Sequence, residues 1–134
     1  MDYSQALAEV RAAFDRYEAA LNANDVAVLN ELFFDSPDTI RYGPAEVLYG
    51  HAEISAYRSA RDPSDAQRKL LRVEISVWSN DFATANCEYL RIKTGRHGRQ
   101  SQTWMRTAEG WKVIAAHVSF MPERTEIAHP PATR

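Results

Sequence analysis

Residues 98–120 read GRQSQTWMRTAEGWKVIAAHVSF. Two β-favouring runs flank Thr107, Ala108, Glu109 and Gly110, a short link with glycine where a hairpin needs positive φ. Gln100, Gln102, Trp104 and Arg106 share one parity of the first run. Trp111, Val113, Ala115, His117 and Ser119 share one parity of the second. A sheet face that mixes Gln, Trp, Arg, His and Ser is poorly suited to a dry core and suits a concave pocket for a small polar ligand. The same alternation sends Ile114, Ala116 and Val118 to the other face. An apolar outer face needs a second cover, so a homodimer through the convex side of the sheet is expected.

Two further strands precede this hairpin, at about 69–79 and 82–93, with the hairpin strands at 98–107 and 111–120. Their links are short, so the four form an antiparallel meander. Upstream, Leu7, Val10, Phe14, Tyr17 and Leu21 recur at three- and four-residue steps and predict a helix over about 4–23. Glu9, Asp15, Arg16 and Glu18 fall largely off that stripe. Asp25 caps a second helix through Phe33, and Pro37 closes the helical region. Thr39–Gly43 reads as a short strand, Val47–Tyr49 pairs back to it, and Gly50 opens a third helix to about Ala60. The expected fold is α+β: a cone-shaped roll of three N-terminal helices against a curved antiparallel sheet, one domain over 1–121, with a proline-containing tail over 122–134.

The bulk composition narrows the function classes. At 134 residues with 45% hydrophobic and 25% charged side chains, the chain is an ordinary globular length and mix. No apolar run approaches a membrane span. Lone Cys87 has no internal disulfide partner, which favours a cytoplasmic setting. The net charge of −2 conceals an asymmetry: residues 1–53 hold ten acidic and three basic side chains, residues 54–134 eight and thirteen. The basic residues are scattered along strands, which argues against nucleic acid and for an internal complement or a small anionic ligand. The four histidines show no metal spacing and no glycine-rich loop cradles phosphate, so neither metal nor other cofactor is expected.

The order of a long helix, Asn-Asp-Val opening the second, Thr-Ile-Arg-Tyr-Gly, Tyr-Gly before the third, then GRQSQTW and GWKVIAAHVS resembles the AtzH-like family, which includes the oxalurate catabolism proteins called HpxZ. The resemblance runs from about Tyr3 to Met121. It implies membership of the nuclear-transport-factor-2-like (SnoaL-like) superfamily, a cone fold that is usually dimeric, and a place in catabolism of nitrogen-rich small molecules beside amidases. It also implies a decarboxylating amidohydrolase activity on a carboxylated urea. The residues implicated there, a first-helix tyrosine and the arginine of Arg-Tyr-Gly, map onto Tyr17 and Arg41.

On the residues alone, Tyr17 is either a core tyrosine or a phenol pointing into the cone as proton donor. Arg41 either pairs with a helix carboxylate such as Glu18 or Asp15, or clamps a substrate carboxylate with its planar fork. Arg58 either snorkels toward the pocket mouth or is a solvated helix charge. Gln102, Trp104 and His117 would orient the ligand, with Ser119 beside them. His117 and Ser119 lie too far apart along one strand for a nucleophilic pair. Cys87 reads as a packed thiol. A ketosteroid-isomerase chemistry lacks its Asp base, since Glu18 and Asp38 are not convincingly placed. Taken with what the resemblance implies, the expected function is an enzyme acting on a small anionic ureido or N-carboxylated urea. The rival is a non-catalytic binder that partners an amidase.

Overall fold

The structure, a computed structural model, describes residues 2–122. The chain runs α1 (Ser4–Ala23), α2 (Val26–Leu32), β1 (Ile40–Tyr42), β2 (Val47–Tyr49), α3 (His51–Ala60), β3 (Arg68–Val77), β4 (Phe82–Arg91), β5 (His97–Thr107) and β6 (Gly110–Phe120). The tail expected from 122 lies, beyond its first residue, outside the described residues. None of the described helices is long and apolar enough to cross a membrane.

The six strands make one sheet in the order β2-β1-β6-β5-β4-β3. From β6 to β3 it is the expected meander, and the hairpin turn places Gly110 at φ +105°. Its far edge differs from the all-antiparallel expectation: β1 runs parallel to β6, with Arg41 opposite Ala116. The intervening elements carry the chain back to the sheet edge in the same direction, which a hairpin cannot do.

α1 lies across the concave face and buries Ala6, Val10, Phe14, Tyr17 and Leu21. Ala6 takes the inward place expected of Leu7, which is left 41% exposed. Asn24, at φ 52°, ends the helix in the left-handed conformation its short polar side chain tolerates. Asp25 caps α2 through Val28 N–H, as the sequence predicted. Glu18, expected off the stripe, is buried. It pairs with Arg68 of β3, whose Nε and Nη2 both donate to its carboxylate.

One irregularity reorders the sheet faces. Thr103 faces Ala115 while Trp104 faces Val113, so Ile114 is an extra residue in β6. Trp111 and Val113 point into the core, but beyond the bulge the inward set is Ala116 and Val118. His117 is turned outward, against the expectation that it joins the pocket face. It packs edge-on to Tyr42 at 5.6 Å. Ser119 is turned outward with it and accepts from exposed Arg99. Ala116 and Val118, expected on the convex face, are buried.

Candidate functional site

The open end of the cone holds a pocket of about 310 Å³. Tyr17 enters it from α1, because the stripe that packs the helix on the sheet reaches the rim there. Arg41 enters from β1, where alternation buries it while Ile40 and Tyr42 stay partly exposed. Thus the structure brings Tyr17 and Arg41 to one cavity.

Arg41 does not pair with Glu18 or Asp15. Its Nη1 donates to Glu46 on the β1–β2 turn at 2.5 Å. Glu46 is further held by the Tyr57 hydroxyl and the Ala45 N–H. Burial alone would push its carboxyl up. The Arg41 hydrogen bond and charge, with the Tyr57 and Ala45 contacts, more than offset that and hold it below the ordinary 4.5. Tyr57 supports the arrangement from α3, with the Arg41 guanidinium 5.5 Å from its ring centre.

Four arginines line the pocket. Arg41 meets Glu46, Arg68 meets Glu18, and Arg91 meets Asp65 at 3.0 Å. Arg61, at the end of α3, meets no carboxylate within ion-pair distance among the described residues. Its Nε and Nη2 are buried without a hydrogen-bond partner there. Asp62 beside it accepts instead from Ser64. Burial, then the neighbouring Arg41 charge, lower the Arg61 pKa from the ordinary arginine value.

Arg58 is neither at the mouth nor solvated. It is 2% exposed, with its guanidinium 4.1 Å from the Phe33 ring centre and a contact from Nη1 to the Leu29 carbonyl. Its charge also acts on Tyr17, so it stands behind the phenol, with Nη2 buried and unpartnered among the described residues. Burial pushes its pKa down to about 10. Gln102 and Trp104 are on the inward face but lie deeper than the pocket, in the core. The Trp104 Nε1–H donates to Gln102 Oε1 at 3.1 Å. Gln100, one pleat nearer the mouth, lines the pocket, as does Tyr89. Of the expected site residues, Tyr17 and Arg41 reach the pocket, Arg58 backs it, Gln102 and Trp104 pack beneath it, and His117 and Ser119 face away. Cys87 is buried, and burial raises its thiol pKa to about 11, as a packed thiol requires. Among the described residues no cluster of His, Cys, Asp or Glu is arranged to hold a metal.

Three helices on a curved six-stranded sheet, open at one end onto a charged pocket, define the nuclear-transport-factor-2-like fold. A protein of that superfamily from Salmonella enterica superposes with a TM-score of 0.76 at 22% identity, over 92% of this chain and 96% of that one. The chain belongs to the AtzH-like family, whose model matches residues 1–124. It is 48% identical to a protein with unknown function from the DUF3225 family of Pectobacterium atrosepticum, over 88% of this chain and 92% of that one, with a TM-score of 0.85. It is 45% identical to a cystatin-like fold protein from Burkholderia xenovorans, over 88% and 95%, with a TM-score of 0.82. No curated protein matches it.

Proposed function

We propose that the chain is an enzyme that cleaves the carboxyl group from a small N-carboxylated urea. What supports this reading is the convergence of a phenol and two arginines on one small pocket: Tyr17, Arg41 and Arg61. Nε and Nη2 of Arg61 form one edge of the guanidinium fork, the edge that takes a carboxylate at two points. Arg61 is thus the principal carboxylate holder. Arg41, neutralised by Glu46, fixes the turn that rims the site.

In the step itself, the bond between the urea nitrogen and the carboxyl carbon breaks and its electron pair goes to nitrogen. The Tyr17 O–H supplies the proton that nitrogen takes, and the carboxyl group leaves as carbon dioxide. The positive charge of Arg58 behind Tyr17 stabilises the phenolate until water reprotonates it. The urea fragment departs with its carbonyl intact.

The test is carbon dioxide release from a panel of N-carboxylated ureas, allophanate included. The expected result is turnover by wild type and a loss of about a hundredfold or more in kcat for Tyr17→Phe, with KM little changed, because the proton is needed only in the transition state. Turnover of Tyr17→Phe at the wild-type rate discards the mechanism.

We also propose that two copies pair through the convex sheet face. Ile40, Met105, Ile114 and Ala115 line a shallow apolar depression there.

A further inference from the structure

The sheet wall of the pocket holds two buried donors with nothing to donate to, on β4 and β5, while Arg61 reaches it from the end of α3. Gln100 is 3% exposed, and its Nε2 has no hydrogen-bond partner among the described residues. Its orientation is fixed, because Oε1 accepts from Arg68 Nη2 at 3.2 Å and so turns the amide nitrogen away from Arg68. Tyr89 is fully buried, and its hydroxyl also lacks a partner. Its ring is fixed too, lying across Gly98 with the Arg68 guanidinium 4.3 Å from its centre. Both side chains line the pocket. A buried donor left without a partner destabilises the fold, so two in one cavity, each held in place by Arg68, mark a ligand position.

We infer that Tyr89 Oη and Gln100 Nε2 form a subsite for an uncharged acceptor, the ureido carbonyl oxygen of the ligand, and so fix which way round the ligand lies. The inference rests on the carboxylated-urea reading and deepens it. The choice of a neutral acceptor over a second carboxylate follows from local charge. Arg68 between the two donors is neutralised by Glu18, and Arg91 by Asp65, so this side of the pocket carries no free cation. Arg61, at the end of α3, carries it. Burial raises the Tyr89 phenol from its ordinary value, which keeps the proton it donates in place. The ligand therefore lies with its carboxylate on Arg61, its carbonyl oxygen on Tyr89 and Gln100, and the nitrogen between them within reach of Tyr17.

The test uses two stable probes of equal chain length in calorimetry. N-carbamoylglycine carries a carboxylate and a ureido carbonyl. Pentanoate carries only the carboxylate. Tyr89→Phe and Gln100→Met should each weaken N-carbamoylglycine about tenfold and leave pentanoate within about twofold. Arg61→Gln should weaken both. Tyr89→Phe also has a readout in the free protein: because it deletes an unpartnered buried hydroxyl, its Tm should equal or exceed that of wild type, whereas a merely structural hydroxyl would lower it. Equal loss of the two probes in Tyr89→Phe and Gln100→Met, or loss of neither, overturns the subsite and leaves the carbon dioxide assay to decide the reaction. Failure of wild type to bind either probe overturns both the subsite and the carboxylate anchor at Arg61.

Discussion

Glu46 shows how a single carboxylate ties the stability of the pocket rim to pH. Its pocket-facing oxygens hold Arg41 and Tyr57, and Arg41 holds it below the ordinary glutamate value in return. A carboxyl whose folded pKa is depressed contributes stability that is fully present above its unfolded value near 4.5 and is lost as pH falls through the lower folded value. Wild type should therefore lose Tm across that acid interval, and Glu46→Gln should lose less of it there while starting lower at pH 7. Thermal melts at several pH values check this. An identical slope in the two proteins would mean that Glu46 and Arg41 do not pair in solution. The same residue explains a limit of sequence reading. Arg41 was legible as a buried cation needing an anion, but its partner sits five residues on, around a turn whose path no periodicity encodes. Arg61 was passed over for a related reason: helical spacing places it one step from Arg58, but does not tell which of the two lies under Phe33 and which reaches the pocket.

At the scale of elements, the helices and strands were readable almost to the residue, since α1, α3 and the four long strands all have strong 3.6- or 2-residue periods. The faces were readable only up to the Ile114 bulge. One inserted residue reverses every side chain after it, which is why His117 and Ser119 were assigned to the pocket and Ala116 and Val118 to the outside. β5 has no such insertion within 97–103, so its inward parity held, and the sequence erred only in depth by choosing Gln102 over Gln100. Gly98 sits in that same stretch, directly opposite Tyr89. A Cβ there would overlap the Tyr89 ring. Gly98→Ala should cost about 1–3 kcal/mol by overpacking, read from denaturant melts. It should also weaken N-carbamoylglycine, since the ring it displaces carries a donor. Wild-type stability in Gly98→Ala would show that the ring has room to move.

Across the whole molecule, the division between an acidic first part and a basic second part becomes contact between layers. Glu18 of α1 meets Arg68 of β3, and Glu9 meets Arg106 of β5 at 3.0 Å. Exposure limits the second pair to a small contribution, while the first is buried and holds the back wall of the pocket in place. The convex face, with Ile114 and Ala115 outward and a depression between them and Met105, should carry the dimer contact. Sedimentation equilibrium at micromolar concentration should give about twice the 15.2 kDa chain mass, and Ile114→Arg should return it to the monomer value. A monomer mass for wild type ends that proposal.

The parallel pairing of β1 with β6 also bears on how the chain is made. Residues 40–42 complete their ladder only with residues 115–117, close to the end of the described chain. During synthesis the arginine and the tyrosine of the first helix leave the ribosome long before the strand that closes the cone around them. The meander of β3, β4 and β5 has only local contacts to make, and can form as it emerges, but the pocket waits for the final strand. The pocket thus depends on the last strand: a nascent or truncated product ending before β6 carries Tyr17 and Arg41 and no cavity to hold them.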